Sequence, residues 1–119
     1  AVVCFACFAP ALALQDNRIT PCAIVTFSSG MPKVAGTTNK YNPYAIASVG
    51  LPEQLSVGFT LYKVVNGNEI YITSDSDGGY GNYFEAEAVV TLSKGTYKLY
   101  AYYRGETKSD GSVKVYNID

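Results

Sequence analysis

Glu85 and Glu87 are the carboxylates whose spacing comes closest to a catalytic pair. Two residues apart on an extended chain, their Cα atoms stand about 6.5–7 Å apart on one face. That separation suits two acids flanking a glycosidic bond. Lys98 and Arg104 fall at positions of matching parity on the next predicted strand, so cross-strand charge pairing accounts for the two acids equally well. Little else supports catalysis. The chain contains no histidine, which excludes Ser-His and Cys-His dyads. It has no GxSxG elbow, GxGxxG turn or Walker loop. The expectation is a protein that is not an enzyme and carries no cofactor.

Two further groups could bind a ligand or form a bond. The segment Ser74-Asp75-Ser76-Asp77-Gly78-Gly79-Tyr80-Gly81-Asn82 sets oxygen ligands beside flexible glycines, which is what calcium takes. Counted from Asp75, however, an EF-hand needs Asp or Asn at position 5 and Glu at position 12, where Gly79 and Ala86 stand. A solvated turn is the expectation, and no metal is assigned. The three cysteines are Cys4, Cys7 and Cys22. Cys4 and Cys7 have CxxC spacing but lack the polar surroundings of a redox pair and the further ligands of a zinc site. They read as small apolar residues. Cys22 is then either a free thiol or a partner for a disulfide, within the chain or between chains.

Tyrosine is the unusual residue type, with 11 copies and no tryptophan. Tyrosine gives rigid, amphipathic contact area at low entropic cost. Tyr100 and Tyr102 fall on the outward parity of their strand, and Tyr80 and Tyr83 lie in the glycine-rich segment. These four are the candidate binding residues, for a protein surface or for the apolar face of a sugar. Many of the others are ordinary strand residues, since β-structure favours tyrosine.

The elements that would carry these residues are strands. From Leu55 the chain alternates Leu55, Val57, Phe59 and Leu61 with Ser56, Gly58 and Thr60, a half-buried strand. Asn66-Gly67 tolerates the positive φ of a tight hairpin, and 69–74 is its second strand. Residues 84–92 place Phe84, Ala86, Ala88, Val90 and Leu92 on one face. Ser93-Lys94-Gly95 turns the chain into 96–104, with Tyr97, Leu99, Ala101 and Tyr103 inward and Lys98, Tyr100, Tyr102 and Arg104 outward. Residues 112–116 form the last strand. Weaker patterns mark 22–28, 44–49 and a short piece at 33–35. About seven antiparallel strands in one small domain predict an all-β fold, a sandwich in preference to a barrel.

A single domain at 15–119 fits a chain of 119 residues. Residues 1–14, AVVCFACFAPALAL, hold no charge. With small-x-small steps at Ala9-Pro10-Ala11 and Ala11-Leu12-Ala13, they read as an export leader or as a retained apolar assembly segment. The run is too short for a stable membrane span, which needs about 20 residues. A net charge of −1 and a charged fraction of 16% give no field that would draw in nucleic acid.

The order of leader, N-terminal strand, LSVGFTLYKVVNG hairpin and VTLSKGTYKLYAYYRG resembles small secreted β-sandwich proteins of Gram-positive bacteria. The likeness spans residues 22–116. It implies an exported sandwich and brings no activity with it. The resulting expectation is a secreted or cell-surface subunit that self-associates or contacts another surface protein. A secreted module for a glycan or protein ligand is the alternative.

Overall fold

A computed structural model describes residues 24–119. The leader at 1–14, Cys4, Cys7, Cys22 and the first residues of the predicted 22–28 strand lie outside the described residues. The fold is all-β, with seven antiparallel strands: β1 Val25–Gly30, β2 Lys40–Tyr41, β3 Tyr44–Val65, β4 Asn68–Glu87, β5 Val90–Thr91, β6 Gly95–Arg104 and β7 Ser109–Ile118. No helix among the described residues is long and apolar enough to cross a membrane.

The strand count agrees with expectation, but the divisions differ. The predicted strands 44–49 and 55–65 are one continuous strand, β3. The predicted turn at 74–82 is the middle of β4. Its composition favours a turn, yet Ser74–Gly81 pairs residue by residue with β3 from Thr60 back to Glu53, and ladder bonding overrides local preference. The predicted 84–92 strand breaks at Ala88-Val89, between β4 and β5. The 33–35 piece reduces to a bridge between Lys33 and Tyr41. At the hairpin, Asn66 and Gly67 adopt φ of 53° and 83°, the left-handed pair that a two-residue turn requires.

β3 organises the sheet. β4 follows it along one edge, while β1 takes Tyr44–Val49 and β6 takes Ser56–Val64 on the other. β7 adds to β6. Between these halves, Val49, Gly50, Leu51 and Pro52 stand opposite the single residue Asn82. Extra residues on one strand bend it and sharpen its twist. The sheet consequently folds over itself. Phe27 of β1 meets Tyr103 of β6 with ring centroids 5.1 Å apart, and Lys114 Nζ of β7 donates to the Ser29 carbonyl of β1 at 2.6 Å. This layering is compatible with the expected sandwich.

The core lies between the layers. Ala45, Ala47, Val49, Leu55, Val57, Phe59 and Leu61 of β3 are buried, and so are Tyr97, Leu99, Ala101 and Tyr103 of β6, which lie beside the second half of β3 on the same face of the sheet. The inward alternations predicted for both strands hold. Tyr97 is buried with its hydroxyl donating to the Ser93 carbonyl at 2.8 Å, which satisfies the polar tip of a core aromatic.

β4 bends with β3, so its two halves approach one another. The Asp75 carboxylate accepts the Glu87 N–H at 2.9 Å, and Asp77 accepts the Glu85 N–H at 3.2 Å. Strand edges left bare invite pairing with other chains, and here two edge donors are occupied from within the chain. Phe59→Ala is expected to lower the unfolding free energy by about 3–5 kcal/mol in urea denaturation. Asp75→Ala with Asp77→Ala is expected to act locally, raising amide exchange at Glu85 and Glu87 far more than at Val57 in the core.

Candidate contact surface on the outer face

With odd residues of β3 and β6 inside, the even ones face out. Tyr62 of β3 stands between Lys98 of β6 and Tyr71 of β4. One row along, Thr60 stands between Tyr100 and Ser74, and in the next row Gly58 stands between Tyr102 and Ser76. β7 sets Val115 beside Lys98 and Val113 beside Tyr100. Four tyrosines and two valines therefore share one face.

The rings brace one another. Tyr62 meets Tyr100 edge-on at 5.5 Å and 89°, and Tyr71 at 6.3 Å and 78°, the arrangement that the ring quadrupoles favour. Tyr102 leans across Gly58. A Cβ at Gly58 would lie 2.5 Å from the Tyr102 hydroxyl, so glycine is what lets the ring lie flat there. The surface is accessible all the same: Tyr71 is 57% exposed, Tyr102 44%, Val113 53% and Val115 55%.

One acid ties the face together. Glu69 Oε2 accepts the Tyr100 hydroxyl at 2.7 Å and Lys98 Nζ at 3.2 Å. The Tyr100 hydrogen bond first, and Lys98 after it, hold the Glu69 carboxyl below its ordinary range. The same bond pushes the Tyr100 hydroxyl above the usual tyrosine range. Both groups are solvated, so this bond orients side chains more than it stabilises the fold.

Of the four tyrosines expected to bind, Tyr100 and Tyr102 lie on this face. Tyr80 pairs with Gln54 at its far end, past Gly78, and Tyr83 pairs with Ser48 across the bend. Tyr83 donates to Glu85 Oε1 at 3.1 Å, so the structure does not join it to Tyr100 and Tyr102. Tyr62, Tyr71, Val113 and Val115 complete the cluster without having been singled out. Tyr62 was readable, since it follows inward-facing Leu61. Tyr71 was not, because a register shift between Leu61 and Tyr62 leaves Ile72 unpaired and reverses which parity of β4 faces out.

The expected pairing of Glu85 and Glu87 with Lys98 and Arg104 does not form. β6 lies beside β3 and β7, not β4, and Lys98 reaches Glu69 instead. Glu87 accepts Asn42 Nδ2 at 3.3 Å. The calcium-like acids Asp75 and Asp77 are occupied by β4 backbone N–H groups. No cluster of metal-ligating groups occurs among the described residues. Below Tyr102 the face dips into a hollow of about 250 Å³ lined by Gln54, Ser56, Gly78, Arg104 and Glu106. Its rim is fixed by two backbone bonds: Gln54 N–H donates to Glu106 at 2.8 Å and Glu106 N–H to Glu53 at 2.9 Å.

No protein-family model matches the chain, and no curated protein matches it at a significant level.

The Glu69–Tyr100 bond is open to direct titration. Glu69→Gln is expected to bring Tyr100 back toward the ordinary tyrosine range in an NMR pH titration. Tyr103, raised mainly by burial, is expected to stay where it is. The signs follow from linkage. What Tyr100 contributes is present below its unfolded pKa and lost as pH rises through its raised folded value. What Glu69 contributes is present above its unfolded pKa and lost as pH falls through its lowered one.

Proposed function

We propose that this chain is an exported surface or extracellular subunit that acts by protein–protein contact through the tyrosine face of β3, β4, β6 and β7. The observation that carries this reading is the braced set Tyr62, Tyr71, Tyr100 and Tyr102 beside exposed Val113 and Val115. A ring held edge-on by its neighbours loses little freedom on binding, and interface anchors are enriched in tyrosine for that reason. The nearby Glu69–Lys98 pair is balanced in charge, so the face repels neither acidic nor basic partners. Export is supported by the uncharged, small-residue-rich stretch 1–14 and by the resemblance of residues 22–116 to small secreted β-sandwich proteins.

Glycan binding is the second reading, favoured by the hollow. Arg104 and Glu106 offer a donor and an acceptor one row from the Tyr102 ring, a combination that fits the hydroxyls and C–H face of a sugar.

Photo-crosslinking side chains placed at positions 71, 102 and 83, in the cells that make the protein, separate these readings. The first two are expected to capture discrete protein adducts and the third none. Tyr71→Ser is expected to weaken the captured contact about tenfold or more. Equal labelling from all three positions would sink the proposal. Binding to a glycan panel that Arg104→Ala abolishes would favour the second reading.

A further inference from the structure

We propose that the hollow below Tyr102 and the Tyr102 ring itself are adjoining subsites for an uncharged oligosaccharide built of all-equatorial hexopyranose rings. This assignment rests on the glycan reading of the hollow and names the ligand and how it lies. The hollow opens where β6 leaves the sheet. Arg104 is the last paired residue of β6, opposite Ser56 on one side and Ser109 on the other. Beyond it the chain turns back, with Gly105 N–H donating to the Lys108 carbonyl at 2.6 Å. Gln54 of β3 therefore has no β6 residue opposite it, and the Glu106 carboxylate takes its N–H instead. On the other flank β4 places Gly78 opposite Ser56 and so brings no side chain to the outer face there. About 250 Å³ stays open between Arg104, Ser56, Gly78 and Glu106.

The two charged walls do not close on one another. Among the described residues the Arg104 guanidinium makes no ion pair or side-chain hydrogen bond. Glu106 is pinned twice, by the Gln54 N–H on Oε2 and by its own N–H on Glu53 at 2.9 Å, and its Oε1 has no partner among the described residues. A hydroxyl both donates and accepts. A planar guanidinium fork and a fixed carboxylate oxygen thus serve neighbouring hydroxyls of one ring. Charge turns acidic sugars away. Glu53 lies buried behind Glu106, so two carboxylates share the site with one guanidinium, and an anion meets net repulsion there. Size sets what enters. Pockets that enclose a drug-sized ligand run to about 300–1,000 Å³, so this one takes a single ring. The next ring has a platform. Tyr102 lies over Gly58 and is 44% exposed. Gly58 is two residues from Ser56 along β3, about 6.5–7 Å, close to the length of one sugar unit. The π face of the phenol suits the C–H groups that an all-equatorial ring presents.

Amide NMR titration of the full chain with cellotetraose tests this, beside the same chain oxidised to carboxylates at C6. Cellotetraose is expected to shift the amides of Ser56, Gly78, Gly105 and Glu106, with a dissociation constant on the order of 0.1 mM for so open a site. The amides of Tyr71 and Tyr83 are expected to stay in place. The oxidised chain is expected to bind at least about tenfold more weakly. Arg104→Ala is expected to cost about tenfold or more in affinity. Glu106→Gln keeps an acceptor for Gln54 but not the charge, and is expected to cost about threefold or more. A Cβ at Gly58 meets the far end of the Tyr102 ring, so Gly58→Ala lifts the platform and is expected to cost about threefold or more, whereas Tyr102→Phe stays within about twofold of wild type. Should Gly58→Ala not fold, Tyr102→Ala takes its place with the same expected loss. Tyr71→Ser is expected to change nothing here. Tighter binding of the oxidised chain at the same amides, or full affinity in Gly58→Ala and Tyr102→Ala, overturns the assignment and leaves the glycan reading standing. Hollow amides that no member of a glycan panel shifts overturn both.

Discussion

The bend in β3 is the constraint on which the rest of this structure depends. Val49 and Leu55 lie on either side of it and both point inward. They are an even number of residues apart, so the apolar side of the strand stays apolar through the bend. One strand thus lines both layers of the core. An odd step would have turned Leu55, Val57, Phe59 and Leu61 to solvent and brought Ser56, Gly58, Thr60 and Tyr62 inside. The positions of β1 and β6 on one edge, and the matching bend of β4 on the other, follow from it. Small residues help the layers close. Ala45, Ala47, Ala86 and Ala101 are buried, and Ser29 and Ser112 come within 3.5 Å across the interior.

What was legible in the sequence is what depends on alternation. Leu55 to Leu61, Phe84 to Ala86 and Tyr97 to Tyr103 have the predicted sides inside, and Asn66-Gly67 turns as its residue types demand. Tyr100 and Tyr102 point outward for the same reason. What was hidden depends on pairing between distant segments. Ser74–Asn82 carries aspartate, glycine and asparagine, and nothing local says that β3 lies alongside to hold it extended. The unpaired Ile72 is likewise silent in the sequence, yet it decides that Tyr71 joins Tyr62. Strand order was also out of reach. The carboxylate beside Lys98 belongs to Glu69 because β4 pairs with β3 in that register, whereas Glu85 and Glu87 sit past the bend.

The tyrosines divide by the polarity of their surroundings. Tyr97 and Tyr103 are buried in the core, and the Tyr97 hydroxyl is satisfied by a carbonyl. Those of the outer face keep theirs near solvent and share Glu69 and Ser74 as partners. Ring contacts and one carboxylate fix the orientation of a surface that would otherwise sample many rotamers. A face prepared in this way loses little entropy when it meets a partner. The absence of any strong net charge leaves shape and apolar area to decide which partner fits.

The two aspartates that accept β4 backbone donors limit how the molecule can grow. A chain with two bare strand margins can add neighbours at both and extend without end. With Asp75 and Asp77 in place, the β4 margin offers the Glu85 and Glu87 donors to no newcomer, and the shorter β1 has its Ser29 carbonyl held by Lys114. The half of β4 beyond the bend therefore carries its own cover: two donors that a neighbouring strand would need are spent inside the chain.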